Sequence, residues 1–162
     1  MRVIKLGLIS FVVFFVLLTI IGSLFPSVIL VVKSVNINRP ADSVATYIND
    51  FPKWNDWMEG AKTDELKVFA KDSTHAIFGT TIMTLVSKEK NSWKYEWKQA
   101  GSVQTSTITI NADGPSTCNV QWEYQQHLPW YPWAKLASVM NDKIIGTSLE
   151  QNLDNLKKAA EH

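Results

Sequence analysis

The sequence predicts an α+β domain, in which a curved antiparallel sheet is covered by one long C-terminal helix, behind an N-terminal transmembrane helix. Three observations predict it: an uncharged apolar run at the start, period-two segments in the middle, and an apolar repeat of three and four residues at the end. The chain has 162 residues, which leaves about 130 residues behind the anchor, a usual size for one domain. We expect residues 1–27 to form the anchor and residues 28–162 the domain.

The first apolar run, Leu6 to Phe25, carries no charged residue. A helix of this length measures about 30 Å, the thickness of the hydrocarbon core of a bilayer. Arg2 and Lys5 precede the run, so we expect a single-pass anchor with a cytoplasmic N-terminus and the domain on the extracytoplasmic side. The alternative is a cleaved signal peptide, but its apolar stretch is usually shorter and Gly22–Phe25 is a poor cleavage site.

Composition excludes several classes of function. The formal net charge is +1 and no basic block occurs, so nucleic acid is not an expected partner. Cys118 is the single cysteine, which rules out an intramolecular disulfide and indicates a small buried residue. His75, His127 and His162 are scattered without metal-ligand spacing, and no Gly-rich phosphate loop occurs. We therefore expect neither a metal nor a cofactor.

The elements that follow the anchor begin with a β-branched run, Val28–Val35, which predicts a strand. Pro40 and Asp42 then open a short helix, since proline suits a first helical turn and acidic residues suit its N-terminus. Trp54 and Trp57 follow at helical spacing and predict a second, very short helix.

Six further strands are predicted in the middle of the chain. The clearest is Trp93–Lys98, where aromatic and charged residues alternate strictly. Short turns between consecutive strands favour an antiparallel meander. The predicted strands are Leu66–Ala70, His75–Phe78, Thr80–Ser87, Trp93–Lys98, Thr105–Asn111 and Val120–Tyr124.

The last segment has the periodicity of one long amphipathic helix. It ends at Lys157 and Lys158, cations that suit a helix C-terminus. One face of the curved sheet needs a cover, and this helix is the only predicted element after the anchor long enough to supply it. The apolar positions are Leu136, Met140, Ile144, Ile145, Leu149, Leu153 and Leu156.

Three stretches resemble the START-like, or polyketide cyclase/dehydratase (SRPBCC), superfamily. They are Val35–Val44 leading into Tyr47–Phe51, the strand Thr117–Tyr124, and Ile145–Lys157. The sequence departs from many relatives in having only Gly79 where a Gly-rich region precedes the middle strands. The resemblance implies a helix-grip fold, with a long C-terminal helix across a curved seven-stranded sheet and, in many members, a cavity between them. Such members bind lipids, sterols or aromatic compounds, and some are enzymes.

This resemblance leads us to expect that inward aromatic side chains line a cavity for a hydrophobic small molecule or lipid. The alternatives are a packed core without a cavity, a cyclase- or dehydratase-like enzyme acting on a polycyclic or aromatic substrate, or a stress or assembly factor that acts through its surface. An enzyme needs an ionisable group inside the cavity; His75 is the best candidate, but a partly exposed strand histidine is the simpler interpretation, and we assign no catalytic residue. The expected lining residues are Trp57, Trp93, Tyr95, Trp97, Trp122, Tyr124, Leu136, Met140 and Ile144.

The segment between the last strand and the long helix contains Trp130, Tyr131 and Trp133. If the first and last strands are neighbours, as the resemblance implies, this segment lies close to the end of the anchor. Tryptophan and tyrosine favour the membrane surface because their rings are apolar and their tips polar. We expect a membrane-interface role for the three residues; the alternative is that they cap the core.

Overall fold

The computed structural model describes residues 2–24, 26–61, 63 and 66–162, with side chains except at residue 2 and residues 136–142. An N-terminal helix, α1 (Arg2–Ser23), precedes strand β1 (Val28–Ile37), helix α2 (Ala41–Asn49), a 3-10 turn (Phe51–Lys53) and helix α3 (Trp54–Trp57). Six strands and the last helix follow: β2 (Val68–Ala70), β3 (His75–Phe78), β4 (Thr81–Glu89), β5 (Ser92–Gln99), β6 (Ser102–Ala112), β7 (Cys118–His127) and α4 (Pro132–Glu161).

The seven strands form one antiparallel sheet in the order β1-β7-β6-β5-β4-β3-β2. After β1 the chain crosses through α2 and α3 to the far edge and returns as a meander. The first and last strands are therefore neighbours, with Val28 opposite His127 and Ile37 opposite Cys118. This arrangement confirms the predicted helix-grip fold, its two short helices and its seven-stranded sheet.

Strand β5 shows why the alternation was informative. Trp93, Tyr95 and Trp97 are buried, whereas Lys94 and Lys98 are exposed. The apolar face of the pleat is turned to the core and the charged face to water, as a period of two requires.

Six of the seven strands differ from prediction at one or both ends, and β3 agrees at both. Strand β2 begins at Val68, and Leu66 lies outside it, 41 % exposed beside the turn at Gly60. Strand β6 begins at Ser102, because its pairing with β5 continues to the turn at Gly101. Helix α4 begins at Pro132, where the fixed φ of proline suits the first helical position.

Helix α4 covers the concave face with Leu149, Leu153 and Leu156, each at most 5 % exposed. It crosses β1 at Gly146, where an added Cβ would lie 3.3 Å from Lys33 Cε. The absence of a side chain there allows the helix to approach the sheet closely.

An aromatic cluster fills the end of the core beneath α2 and α3. Trp54 lies at its centre, 0 % exposed, and its indole N–H donates to the carbonyl of Ile48 at 3.0 Å. Five rings surround it at centroid distances of 4.9 to 6.5 Å, a range in which edge-to-face and tilted pairs are favourable. These rings belong to Phe51, Trp57, Tyr95, Trp97 and Trp122.

Among the described contacts, helix α1 touches the domain only through its second half. An added Cβ on Gly22 would lie 2.5 Å from Pro132 Cβ, and the ring of Phe15 lies 6.5 Å from that of Trp133. Within α1, Val3–Ser23 has a mean hydropathy of 2.7, and apart from Leu18 and Gly22 its residues are exposed. The segment is long and apolar enough to cross a membrane.

Candidate ligand cavity

A cavity of about 170 Å³ lies between the sheet and α4. Trp97 of β5, Gln104 of β6 and two residues of β7 form its floor, and α4 forms its roof. Met58, directly after α3, closes one side. The described lining residues are Met58, Trp97, Gln104, Trp122, Tyr124, Ile145, Ser148, Leu149 and Asn152.

The cavity occupies the end of the sheet nearest α1. Tyr124 pairs with Val31, and Gln104 pairs with Gln126, next to the end of β7. The backbone N–H of Leu128, just beyond β7, donates to the carbonyl of Ser27 at 2.8 Å. The register of β1 and β7 therefore places the cavity on the side where the chain enters from α1.

Three of the expected lining residues, Trp97, Trp122 and Tyr124, lie at this cavity. Three others, Trp57, Trp93 and Tyr95, are each 1 % exposed and belong to the packed core next to it. Each of the three donates a hydrogen bond from its polar atom. The acceptors are the carbonyl of Tyr47 for Trp57, Asn49 Oδ1 for Trp93 and the carbonyl of Ile48 for Tyr95. Helix α2 supplies all three acceptors, and α2 and α3 together fill that end of the sheet, which separates these rings from the cavity.

The helix residues expected at the cavity are placed differently. Ile144 is 64 % exposed and faces an outer groove, while its neighbour Ile145 lines the cavity. The correction follows from helical phase, since Ile145 lies one turn before the buried Leu149 and Ile144 does not. The side chains of Leu136 and Met140 lie outside the described residues.

Sequence reasoning missed the polar members of the lining. Asn152 interrupts the apolar stripe between Leu149 and Leu153 yet is only 5 % exposed, and such a polar residue among core positions was the available signal. Gln104 precedes the predicted start of its strand, so its face could not be assigned. Ser148 and Met58 carried no comparable signal.

Asn152 is held in one orientation by the loop after α3. Its Oδ1 accepts the backbone N–H of Glu59 at 2.5 Å, and Glu59 in turn accepts from the Asn155 amide at 3.0 Å. Only the oxygen of an amide can accept, so this contact assigns the two amide atoms. In the described part of the chain Asn152 Nδ2 then has no acceptor.

Trp122 also retains an unused donor. Its indole nitrogen is buried and has no hydrogen-bond partner among the described residues, although the side chain is only 2 % exposed. By contrast, the Trp97 indole donates to the Ser106 hydroxyl at 2.8 Å. A buried donor without an acceptor carries a desolvation cost of about 1–3 kcal/mol.

Tyr124 supplies a polar tip at the cavity. Its hydroxyl donates to Gln126 Oε1 at 3.3 Å, and burial raises the pKa of the phenol to about 12. The group is therefore neutral near pH 7 and acts as a hydrogen-bonding hydroxyl. The described lining residues include no Asp, Glu, His, Lys or Arg.

His75, the best sequence candidate for a general base, lies away from the cavity. It is exposed on β3, and its Nδ1 is 3.0 Å from both carboxylate oxygens of Asp72. Hydrogen bonds from Thr74 and His75 lower the pKa of the Asp72 carboxyl. Across the described residues, no group of three or more His, Cys, Asp or Glu side chains could hold a metal ion.

The aromatic segment Trp130–Trp133, which includes the first residues of α4, lies beside the second half of α1. Trp130 is 76 % and Trp133 is 56 % exposed, and Tyr131 stacks on Trp133 at 4.9 Å. Since Trp133 also packs against Phe15, this segment is level with the second half of α1.

Comparisons with known proteins agree with this architecture. A START superfamily protein from Mycobacterium smegmatis superposes with a TM-score of 0.61 at 16 % identity, covering 82 % of this chain and 97 % of that one. Norcoclaurine synthase from Thalictrum flavum, solved in complex with dopamine and hydroxybenzaldehyde, gives 0.61 at 13 % identity, covering 86 % and 90 %. The protein XoxI from Bacillus cereus gives 0.64 at 15 % identity, covering 80 % and 94 %. At these identities the likeness concerns the fold.

A search of curated proteins gives no significant match. The family model for polyketide cyclase / dehydrase and lipid transport, however, matches residues 28–161, which include the whole of the sheet and the whole of α4. This match confirms the resemblance noted in the sequence, and the chain belongs to the polyketide cyclase / dehydrase and lipid transport family.

Proposed function

We propose that this protein binds a hydrophobic small molecule or lipid in the cavity between its sheet and α4, at the surface of a membrane that α1 spans. The observation that carries the proposal is the cavity itself, a mostly apolar space roofed by Ile145 and Leu149 and floored by Trp97 and Trp122. Apolar walls with a few placed polar groups are typical of small-molecule sites.

The membrane part of the proposal rests on α1 and the loop beside it. Val3–Ser23 has the length and composition of a spanning helix, and we assign residues 1–27 to the anchor, with the N-terminus in the cytoplasm. The exposed rings of Trp130 and Trp133, together with Tyr131, then form an interfacial surface next to the end of the anchor. The cavity lies at the same end of the domain, where a molecule dissolved in the outer leaflet can reach it.

A cyclase- or dehydratase-like enzyme remains the second hypothesis, because the family includes such activities by its description. General acid–base chemistry needs a titrating group near the operating pH inside the cavity. Among the described lining residues only Tyr124 titrates, with its pKa raised to about 12. This favours binding as the first function to test.

The binding proposal is tested by analysing small molecules that co-purify with the full chain in mild detergent. Leu149→Trp fills the cavity from its roof, whereas Ile144→Trp adds the same ring on the exposed side of the same helix. We expect one class of hydrophobic compound with wild type and with Ile144→Trp, and its loss from Leu149→Trp. Equal recovery from all three proteins, with Leu149→Trp still folded by circular dichroism, would contradict the proposal.

The membrane proposal is tested separately. The chain should resist carbonate extraction and retain its N-terminal segment on sequencing; a released chain starting near Ser23 would show that the segment is cleaved. In vesicles, brominated lipid should quench part of the tryptophan emission, and the double variant Trp130→Phe/Trp133→Phe should remove that part. Unchanged quenching in the double variant would leave only the core-capping interpretation.

A further inference from the structure

The polar groups at the cavity that lack a hydrogen-bond partner among the described residues are mainly donors. Asn152 Nδ2 offers two N–H groups, which have no acceptor within the described ranges. The Trp122 indole N–H also has no acceptor there, but its nitrogen is fully buried and is not open to the cavity. Both side chains are at least 95 % buried. Burying a donor without a partner is costly, so a molecule that brings an acceptor recovers this free energy on binding.

The fold holds the side-chain amide of Asn152 in one orientation and so fixes the position of its N–H donors. The Glu59 backbone N–H holds Oδ1, so the amide cannot flip and present its oxygen to the cavity without losing that bond. Leu149 and Ile145 lie on the same face of α4 and give the amide apolar surroundings. A hydrogen bond formed there is stronger than one in water because the local dielectric is low.

The charge of the described lining residues also restricts which ligands can bind. No described lining residue carries a formal charge near pH 7, and Tyr124 is neutral there. An ionised ligand would be desolvated without a counter-charge, which is strongly unfavourable. The cavity therefore selects an uncharged compound.

The size of the cavity and its aromatic walls indicate that it holds a single ring of a ligand. An engineered apolar cavity of about 150 Å³ holds benzene, and the cavity here measures about 170 Å³. Aromatic rings from Trp97, Trp122 and Tyr124 supply walls on which a flat group can pack.

We propose that the cavity binds a neutral, ring-sized group bearing a carbonyl oxygen, which accepts a hydrogen bond from Asn152 Nδ2. This inference rests on the binding function proposed above and specifies the chemistry of its ligand. Asn152 is then a specificity-determining residue of the site.

The test compares two probes of nearly equal shape, acetophenone and isopropylbenzene, on the full chain at a fixed detergent concentration. With ¹⁵N-labelled protein, acetophenone should move the side-chain amide resonances of Asn152 downfield, and isopropylbenzene should not. Asn152→Asp retains an oxygen for the Glu59 N–H but replaces the donor by an acceptor. It should weaken acetophenone binding about tenfold and leave isopropylbenzene within about twofold, since one hydrogen bond is worth about 1.4 kcal/mol.

Gln151→Glu provides the matched control, because it makes the same chemical change on the exposed face of the same helix. It should alter neither affinity. If both probes bind the cavity and Asn152→Asp changes their affinities equally, the cavity does not recognise the carbonyl oxygen. The inference then fails while the binding function stands. If neither probe shifts any cavity-lining resonance, the inference and the assignment of this cavity as the binding site both fail.

Discussion

Trp54 is the residue whose truncation should damage both the core and the cavity. Its ring contacts Trp97 and Trp122, which are cavity walls, and its N–H satisfies the carbonyl of Ile48. Truncating a buried tryptophan to alanine costs about 3–5 kcal/mol. We expect the upper part of this range, because edge-to-face and tilted ring pairs add about 0.5–1.5 kcal/mol each. For a domain of this size the melting temperature should fall by about 10–20 °C.

Thermal unfolding of the full chain in detergent, followed by near-ultraviolet circular dichroism, measures this effect. Trp130→Ala is the control, since that ring is 76 % exposed, and its melting temperature should change little. Trp54→Ala should also release co-purified ligand, because two walls of the cavity lose their support. If Trp54→Ala and Trp130→Ala unfold within about 2 °C of each other, the assignment of Trp54 as the centre of the core is wrong.

Three further predictions concern pH, the anchor contact and the surface histidine. Burial raises the pKa of Tyr124 from 10.0 to about 12, so the contribution of the neutral phenol to stability is complete below pH 10 and is lost as the pH rises through 12. In Tyr124→Phe the unfolding free energy should therefore fall less between pH 10 and pH 12 than in wild type. An identical dependence of the unfolding free energy on pH in the two proteins would refute this. Gly22→Leu should push α1 away from Pro132 and speed hydrogen exchange at the start of α4, whereas Gly7→Leu, which has open space around it, should not; equal exchange rates would contradict the contact. His75→Ala should leave ligand retention unchanged and shift the unfolding free energy by less than about 1 kcal/mol, as for exposed ion pairs; loss of a measurable turnover would favour an enzyme instead.

Much of the fold could be predicted because local patterns report which face of an element is buried. The alternation of Trp93–Lys98 identified β5, and the leucine repeat at Leu149, Leu153 and Leu156 identified the buried face of α4. The pairing of β1 with β7 came from the family resemblance, and it places the cavity near the anchor.

The division of the interior into core and cavity could not be predicted from the same patterns. Trp93 and Trp97 share one face of β5, but the Trp93 indole donates to Asn49 of α2, whereas the Trp97 indole donates to Ser106 of the neighbouring strand and its ring lines the cavity. The position of a short helix over a sheet depends on tertiary packing, which periodicity does not encode. For the same reason Ile144 and Ile145 were equivalent in the sequence, and only the crossing of α4 over the sheet distinguishes them.

Native mass spectrometry of the intact chain, released from detergent, tests the central claim most directly. If the cavity between the sheet and α4 holds a hydrophobic small molecule, wild type carries one uncharged adduct of constant mass per chain. Leu149→Trp, in which the cavity is filled, should show the mass of the polypeptide alone. A wild-type chain without an adduct, purified under conditions that retain lipids on other membrane proteins, would contradict the account, as would an adduct that persists in folded Leu149→Trp.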